Sequence, residues 1–587
     1  MDLALIGNCS YQALIDDTAT VRWLCWPRFD ASFVFGSLLD VDQGGEMTCQ
    51  PAENGYQRSQ AYLGLTNILR TTFERDGDAF EVIDFAPRFQ LLERCYKPTM
   101  LIRIVRPIRG TPRVRVTCLP TYDYGRAKLT RHLASDHIEW HLPDGLRLTT
   151  RIPLSYVDEG RPFLLDQEQF MVLTWGEPLE APLGETCRSF LDRTQRYWET
   201  WGKHINLPGC YEREVVRSAL VLKLHQFEET GAITAAATTS LPEYPGSGRN
   251  WDYRFCWLRD ACFTLDAMRR LNHFEEAEAF VGYLANIADN TADRLQPVYG
   301  ITGEAILTEE ILEHLTGFEG SGPVRIGNAA YEQVQHDVYG EMLAVLAPLF
   351  LDIRYESKRS AHHLGLVRQL VSRIEATLEV PDAGLWEIRD EPKLHTFSLL
   401  MHWLGARTAS SIGSRVGDDA LEAAGGALAE RARRIIEDSC WNAEGGHYAD
   451  STTTSHADAA LMMMVNLGLL DPSSERAGSH VRRLAERLRA GRELLHRYVH
   501  HDGIGQTHAA FTVCGFWYAE ALARIGAKEE GHEVMRALIG HQNHVGLFSE
   551  DIDPETGRQL GNFPQTYSHV GLINAAFALE PTLPRLM

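Results

Sequence analysis

The hydrophobic period of this chain changes near residue 180, and that change limits what the chain can fold into. Before it, apolar and polar residues alternate in short runs that end at Gly, Pro or Asp, as in "TNILRTTFERDGDAFEVIDFAP" and "TPRVRVTCLPTYDYG". Alternation with a period of two residues is typical of half-buried strands. Short strands at this spacing predict an antiparallel β-sandwich for the N-terminal part of the chain.

After the change, apolar residues recur at helical spacing. The first such stretch, "ETCRSFLDRTQRYWETWGKHI", predicts a helix that links two domains. Beyond it, helical segments alternate with loops, and roughly a dozen helices of ordinary length fit there. Paired helices in that number suit a closed α/α toroid, although a solenoid of helical hairpins would show the same pattern. We therefore predict an α+β multidomain chain with a β-sandwich at 1–185, a linker helix at 186–208 and a helical catalytic domain at 209–587.

The charge balance narrows the class of ligand. The 587 residues carry a formal net charge of -22, whereas nucleic acids and anionic membranes are bound through clustered Lys and Arg. We therefore expect a neutral or cationic small molecule, with no nucleic-acid or membrane partner. The 11 cysteines lack a C-x-x-C pair, which fits a reducing cytosol better than a disulfide framework. Without a recognisable signal peptide or a membrane-spanning apolar run, the sequence predicts a cytoplasmic protein, and a homo-oligomer is compatible with it.

One loop places an acid beside an aromatic ring. In "GLWEIRDEPKLHTFSLL", Trp386 directly precedes Glu387. The C–H face of a sugar ring stacks on an indole while a carboxyl group addresses one of the sugar oxygens. A sugar-cleaving site needs a second carboxylate. Glu550 in "LFSEDIDPETG" is the candidate, although a solvated acidic loop would have the same composition.

A second loop, "GSGRNWDYRFCWLRDACFTLDAM", combines aromatic and charged residues immediately before an apolar helix. Singly, each has a structural explanation: Asp260 can start the helix, Arg259 can pair with it, and Trp257 can fill the core. Taken together with the other aromatic and charged residues of this loop, they are typical of a pocket that binds polyhydroxylated rings. These others are Arg249, Trp251, Asp252, Tyr253 and Arg254.

Four long motifs stand in order along nearly the whole chain. They are "RNWDYRFCWLRDA", "GPVRIGNAAYEQVQHDVYGE", "GLWEIRDEPKLHTFS" and "LFSEDIDPETGRQLGNFPQTYSHVGLINAA", with "VRWLCWPRFDASFVFGSLLD" before them. Together they resemble the bacterial branch of glycoside hydrolase family 15, which contains glucoamylases and trehalases. The resemblance implies a β-sandwich followed by an (α/α)6 barrel. It also implies an inverting hydrolysis that releases β-glucose from the non-reducing end of an α-glucoside.

The same resemblance implies roles for single residues. Glu387 resembles the general acid of the family and Glu550 the general base, while Arg259 and Asp260 resemble the pair that holds the outer hydroxyls of the terminal glucose. The acid protonates the leaving oxygen, and the base activates a water on the opposite face of the ring. The acid needs a raised pKa, which Trp386 and a partly dry pocket would supply, whereas the base stays ionised near water. We therefore expect a more apolar setting for Glu387 than for Glu550.

The glycosidic linkage stays open between trehalose and malto- or isomalto-oligosaccharides. We expect the groups that discriminate these substrates at 26–30, around 309–325 and along 389–395. Trp26, Asp30 and Arg389 therefore join the predicted substrate contacts. Phe255 departs from the family, because many relatives have there a tyrosine whose hydroxyl points towards the reacting centre.

Two other classes of protein would share part of this sequence pattern. A disaccharide phosphorylase would need one catalytic carboxylate and a basic phosphate pocket, and a silent sugar-binding homologue would keep the aromatic residues and could lose an acid. The chemistry calls for no cofactor. A metal site is not expected, because the pair His541 and His544 and the doublets at 362–363 and 500–501 lack a nearby ligand pattern.

Overall fold

The N-terminal part of the chain forms a β-sandwich of two antiparallel sheets, in a computed structural model that describes residues 1–127, 129–291, 294–388, 391–491, 493–505 and 507–580. In spatial order, the first sheet contains Leu3–Gly7, Gln12–Asp16, Val21–Cys25, Glu46–Pro51, Arg113–Leu119 and Phe163–Leu164, with Phe33–Phe35 paired to Val21–Cys25. The second contains Arg131–Leu133, His137–Trp140, Leu146–Thr150, Gln169–Trp175, Met100–Arg109, Asp78–Phe85, Leu69–Arg75 and Gln57–Tyr62. A hairpin, Phe89–Leu91 with Arg94–Tyr96, stands apart from both.

The alternation seen in the sequence places side chains on the two faces of these sheets. In the strand Leu69–Arg75, the side chains of Leu69, Thr71 and Phe73 are buried, whereas those of Arg70 and Glu74 are exposed. Successive residues of a strand point to opposite faces, so one face of the strand enters the core. The predicted antiparallel sandwich is confirmed.

Helices make up most of the remaining chain. They are α1 Leu154–Glu159, α2 Leu183–Lys203, α3 Glu212–His225, α4 Leu258–Arg270, α5 Phe274–Asn290, α6 Asp337–Leu351, α7 Ala361–Thr377, α8 Thr396–Val416, α9 Asp419–Ser439, α10 Met463–Asn466, α11 Glu475–Arg487, α12 Thr512–Arg524, α13 Lys528–Ile539 and α14 Thr566–Leu579. Short 3₁₀ turns lie at Asp123–Gly125, Phe318–Gly320, Ala329–Glu332, Ile353–Lys358 and Ala459–Met462. Two-residue strand pairs join Cys256–Trp257 to Val298–Tyr299, Glu310–Ile311 to Arg325–Ile326, Trp441–Asn442 to His447–Tyr448, and Arg489–Ala490 to Leu494–Leu495, while Ala510–Phe511, Asp551–Ile552 and Gln559–Leu560 form a small sheet.

Six of these helices form a closed inner ring. Helices α4, α6, α8, α10, α12 and α14 follow one another around it, the turn Ala459–Met462 bridges α8 and α12, and α14 returns to contact α4. Helices α3, α5, α7, α9, α11 and α13 pack outside this ring. The second domain is therefore an (α/α)6 barrel, and the closed ring excludes the open solenoid.

Burial patterns explain which helices lie inside. Helix α12 is buried over almost its whole circumference, from Thr512 to Ala523. Helix α11 buries a narrow stripe that contains Ala477, Val481 and Leu484 and exposes the rest. A helix that is apolar all round belongs in an interior, whereas one apolar stripe suits an outer layer.

The 21-residue helix α2 connects the two parts of the chain. The indole nitrogen of Trp201 donates a hydrogen bond to Oε1 of Glu276 on α5 at 2.9 Å, and its ring stacks on His273 at 3.9 Å. These contacts tie α2 to the barrel. The domain limits at 185 and 208 stay predictions.

None of the helices in the described ranges combines the length and apolar character needed to cross a bilayer.

A buried ion pair also joins the barrel to the β-sandwich. Arg254 is 1% exposed and pairs with Asp252 at 2.7 Å between Nη2 and Oδ2. Its guanidinium also donates to the carbonyl oxygen of Ala31 at 2.7 Å and to the hydroxyl of Tyr124 at 3.1 Å. Asp252 thus neutralises an arginine between the domains and is not among the residues that line the cleft described below, so its place among the substrate contacts stays a prediction.

Candidate active site

The long loops that lead into the inner helices converge at one end of the barrel. The loops before α4, α8 and α12 together line one cleft that opens to solvent. Its lining comprises Glu243, Arg249, Trp251, Tyr253, Arg259, Leu385, Trp386, Glu387, Arg497, Asp502, Ile504 and Phe511. Because these three loops meet at the cleft, residues far apart in sequence share one site.

Glu387 occupies a strained turn in the cleft wall. Its backbone has φ +57°, in the left-handed region that costs a non-glycine residue about 1–2 kcal/mol. Trp257 donates its indole N–H to Oε1 of Glu387 at 2.8 Å. The turn also needs Gly384, since a Cβ atom there would lie 2.7 Å from the ring of His395. The turn and the indole together hold the carboxyl group of Glu387 at the cleft surface.

Glu550 lies deeper, immediately before the loop that leads into α14. It is 1% exposed, and its Oε2 accepts a hydrogen bond from the backbone N–H of Asn562 at 3.1 Å. Gly561 packs directly on this side chain, because a Cβ atom at that position would come within 2.7 Å of Oε2. The carboxyl group is therefore held by backbone on one side.

The electrostatic settings of the two glutamates differ from the prediction. Burial, and then the negative charge of Glu243, raises the pKa of Glu550 to about 8, although Arg497 opposes the shift. Glu387 is partly exposed. Glu550 is the more buried of the two, whereas the base was expected near water, although Glu243 and Arg497 give it charged rather than apolar neighbours.

Tyr253 lines the cleft between charged residues. Burial, and then the negative charges of Glu550, Glu243 and Glu387, raise its pKa well above the usual value. Its ring packs edge-on against Trp257, with ring centroids 5.1 Å apart. Glu550 borders the same cleft, because Asn562, whose backbone N–H binds its carboxylate, also donates a side-chain N–H to the carbonyl oxygen of Trp251 at 3.0 Å. The fold thus brings Glu387 and Glu550 to one cleft, although 163 positions separate them in sequence.

One side of the cleft is a network of paired charges. Arg249 binds both carboxylate oxygens of Asp502, at 2.8 and 2.6 Å, and Asp502 also accepts from the hydroxyl of Tyr498 at 2.5 Å. Arg497 pairs with Glu243 in the same wall. Each guanidinium is matched by a carboxylate, so this wall presents oriented hydrogen-bonding groups with little net charge.

Arg259 and Asp260 form the floor of the cleft. Nε of Arg259 lies 3.0 Å from Oδ1 of Asp260, and Nη1 donates to the carbonyl oxygen of Leu385 at 2.6 Å. Arg259 lines the cleft, whereas Asp260 is largely buried, which raises its pKa although Arg259 opposes the shift. The pair also connects α4 to the turn that carries Glu387.

Two tryptophans supply flat apolar surface. Trp386 donates its indole N–H to Oδ1 of Asp458 at 2.9 Å and contacts Phe511 edge-on at 5.5 Å. The guanidinium of Arg325 lies 4.5 Å from the ring centre of Trp251. Both indoles line the cleft, where a sugar ring can stack.

Other predicted contacts lie away from this cleft. Trp26 is 1% exposed and packs edge-on against Tyr11 at 5.2 Å in the sandwich core. Asp30 pairs with Arg28 at 3.0 Å near the domain boundary. Neither residue is among those that line the cleft, and the expectation that both contact substrate stays a prediction. Arg389 lies outside the described residues.

The structure adds three charged residues to the predicted site. Glu243, Arg497 and Asp502 line the cleft together with Glu387 and Tyr253. Phe255 is 6% exposed within a small apolar cluster, so the hydroxyl near the glutamates comes from Tyr253, two residues earlier. Alternation within "WDYRFCW" was the available signal, because residues two apart in extended backbone share a face.

Comparisons with known proteins identify similar chains. The profile of glycosyl hydrolases family 15 matches residues 209–537 and 527–577, and a trehalase-like N-terminal profile matches 2–149. A trehalase of Mycolicibacterium smegmatis is 31% identical, covering 98% of this chain and 90% of its own, and one of Mycobacterium tuberculosis is 30% identical, covering 98% and 88%. A bacterial glucoamylase solved with acarbose shares the fold, with a TM-score of 0.71 and 12% identity over 98% of this chain and 94% of that one.

Proposed function

Because the chain belongs to glycosyl hydrolase family 15 and is therefore an O-glycosyl hydrolase, we propose that it hydrolyses trehalose to two glucose molecules with inversion at the attacked carbon. The observation that carries the proposal is geometric: Glu387 lines the cleft, and Glu550 is held by Asn562, whose side-chain amide also binds the carbonyl oxygen of Trp251 in the cleft wall at 3.0 Å. Trehalase relatives that align with 98% of the chain favour trehalose over maltose or isomaltose.

In the proposed reaction the two glutamates act on opposite faces of one glucose ring. Glu387 gives its proton to the glycosidic oxygen as the bond from that oxygen to C1 breaks. A water attacks C1 from the other face, and Glu550 takes the proton that the water loses. The Trp257 N–H orients the carboxyl group of Glu387 throughout. Each turnover consumes one water. Afterwards Glu387 takes a proton back from solvent, and Glu550 releases one to it.

The charges in the cleft favour water over phosphate as the attacking group. Arg249 is paired with Asp502 and Arg497 with Glu243. A phosphate dianion would have to compete with these carboxylates, because each carboxylate already occupies the guanidinium that phosphate would need. We therefore favour a hydrolase over the phosphorylase alternative.

The proposal is tested by identifying the sugar that is released and the anomer in which it first appears. Purified protein is incubated with trehalose, maltose and isomaltose, with and without phosphate, and proton NMR follows the anomeric signals before mutarotation. We expect trehalose to be preferred and to give α- and β-glucose in near-equal early amounts, because only one of its two glucose units is inverted. Only α-glucose at early times would contradict inversion, and glucose 1-phosphate would identify a phosphorylase.

We expect Arg259→Ala to weaken hydrolysis of every α-glucoside tested. The substitution strands Asp260 in a buried position and removes a donor from the cleft floor, and a stranded buried partner costs about 1–3 kcal/mol. The measurement is kcat/KM on trehalose and on maltose. We expect an equal proportional loss on both, since the non-reducing glucose is common to them. Unchanged kinetics would reduce the pair to a structural ion pair.

The pH dependence of activity tests the neighbour of the base. Glu550 has to be ionised to accept a proton, so kcat/KM falls as pH drops through its pKa. Glu243→Gln removes a negative charge that raises that pKa and leaves the charge of Arg497 uncompensated beside Glu550. Both effects lower the pKa, so we expect the acid limb of the profile to move to lower pH by about one unit.

A matched variant controls for general effects of losing a carboxylate. Glu309 also pairs with an arginine, Arg325 at 3.2 Å, but is not among the charges that shift the pKa of Glu550. The acid limb of Glu309→Gln should coincide with that of the unmodified enzyme. Coincident profiles for Glu243→Gln and the unmodified enzyme would contradict the assignment of Glu550 as the base.

A further inference from the structure

A cluster of histidine and aspartate side chains lies outside the proposed catalytic residues. Asp450, His456 and His500 each place a ligand atom within 4.8 Å of the other two. Oδ2 of Asp450 is 3.7 Å from Nδ1 of His456 and 4.0 Å from Nε2 of His500. Three potential metal-binding atoms thus converge from two separate loops.

The polar atoms of this cluster lack the hydrogen bonds that burial normally requires. Asp450 is 2% exposed; its Oδ1 accepts from Thr454, but within the described ranges its Oδ2 makes no hydrogen bond. Both ring nitrogens of His500 are buried and also make none to a described residue. Buried polar groups are nearly always satisfied, and an ion is one of the partners that can satisfy them.

We propose that Asp450, His456 and His500 bind a divalent transition-metal ion such as Zn²⁺. Two imidazoles and one carboxylate form a donor set that suits zinc and its neighbours and is poorly suited to magnesium or calcium. Ligand atoms about 2.1 Å from a tetrahedral zinc lie about 3.4 Å apart. The separations from Oδ2 of Asp450, 3.7 Å to His456 and 4.0 Å to His500, exceed this value by a few tenths of an ångström, and the two imidazole rings lie side by side with centroids 4.6 Å apart. Both rings would therefore turn slightly towards the ion, which the exposure of His456 and the lack of hydrogen bonds from His500 to described residues allow.

Such an ion would join two loops that shape the cleft. Asp450 and His456 belong to the loop that also carries Asp458, the hydrogen-bond partner of the Trp386 indole. His500 belongs to the loop that carries Asp502, which pairs with Arg249 in the cleft wall. Metal binding would therefore fix both supports of the cleft at once. This inference is independent of the proposed substrate and of the roles of the two glutamates.

The test is metal binding by tag-free, full-length protein after dialysis against a chelator. Zn²⁺ is titrated by calorimetry, and Co²⁺ is titrated by visible absorption, which reports its coordination. We expect one equivalent to bind, and His456→Ala to lower the affinity at least about 10-fold, as even outer partners of metal ligands do. Since His456 is partly exposed, this variant should keep the fold, and Asp450→Asn provides a second ligand change.

Two histidines outside the cluster provide matched controls. His501→Ala alters the exposed residue next to His500, and His544→Ala alters a histidine whose Nε2 lies 2.7 Å from Oε1 of Gln60. Both should bind the metal like the unmodified protein. We also expect Zn²⁺ to slow hydrogen exchange at 449–458 and 496–505. Equal affinity in His456→Ala and the controls, or no binding by the unmodified protein, would overturn the proposal.

Discussion

Replacement of Glu387 by glutamine should lower the turnover of trehalose by about 10²–10⁴-fold, because an amide keeps the shape of the side chain but cannot donate the proton. The glutamine can still accept the Trp257 N–H that now reaches Oε1, so the turn should persist. α-Glucosyl fluoride needs little help from an acid and should lose much less activity. The measurement is kcat on both substrates.

A nearby carboxylate controls for this substitution. Glu375 is exposed on α7, twelve residues before Glu387, and is not among the residues that line the cleft, so Glu375→Gln should retain normal turnover of both substrates. Hydrolysis of trehalose by Glu387→Gln at the unmodified rate would show that another group donates the proton. A loss of the same size on the fluoride would also contradict the role of acid, because it would place the defect in a step that both substrates share.

Glu550→Gln should lower the activity on trehalose and on α-glucosyl fluoride alike. We expect a loss of about 10²–10⁴-fold on each, since water must be activated whatever group leaves. The contrast between the two variants on the fluoride separates acid from base. Its neighbour Asp551 is also buried, and burial and the charge of Glu550 raise the pKa of Asp551 well above the usual value. If Glu550→Gln retains activity and Asp551→Asn loses it, Asp551 is the base.

The stability of Glu550→Gln distinguishes lost chemistry from lost fold. The pKa of Glu550 is raised from 4.5 to about 8 in the folded protein, so between these values the folded state holds a proton that the unfolded chain releases. The contribution of this group to stability therefore declines as pH rises through that window. Glutamine never ionises, so we expect the variant to melt no lower than the unmodified protein at pH 8. A much lower melting temperature would assign the lost activity to unfolding.

Periodic features of the fold were predictable because their cause is local. Alternation in Leu69–Arg75 and the apolar stripe of α11 each follow from which face of one element is buried. The closed ring was not predictable from periodicity, since a solenoid needs the same helices. Closure depends on the contact of α14 with α4, which lie far apart in the chain.

The site was predictable only where a motif carried it. Trp386, Glu387, Trp257 and Arg259 lie together in the cleft, as the motifs led us to expect. Asp252 stands in the same motif as Trp257, but its side chain points to the other side of the extended segment and meets Arg254. Sequence order cannot show which face of such a segment meets the ligand.

Charged partners from distant loops were beyond sequence analysis for a different reason. Glu243 and Arg497 pair across 254 positions, and neither stands in a motif that requires the other. His500 showed only a neighbouring histidine in the sequence, while its partners Asp450 and His456 lie in another loop. Ligand spacing along the chain is informative only when one segment supplies several ligands.

The buried guanidinium of Arg254 bears on how this enzyme can be recombined with its relatives. Its partners Ala31 and Tyr124 belong to the β-sandwich, while Arg254 itself precedes Trp257 in the loop that holds Glu387. A chimera could exchange the N-terminal domain for one whose backbone places no carbonyl oxygen at this contact and which lacks the tyrosine hydroxyl. Part of a buried cation would then be left unsatisfied, at a cost of about 1–3 kcal/mol or more. That cost would fall on the segment that positions the proposed acid. The β-sandwich and the barrel should therefore come from the same parent enzyme, and crossovers between homologues should succeed only where both sides of this contact are retained.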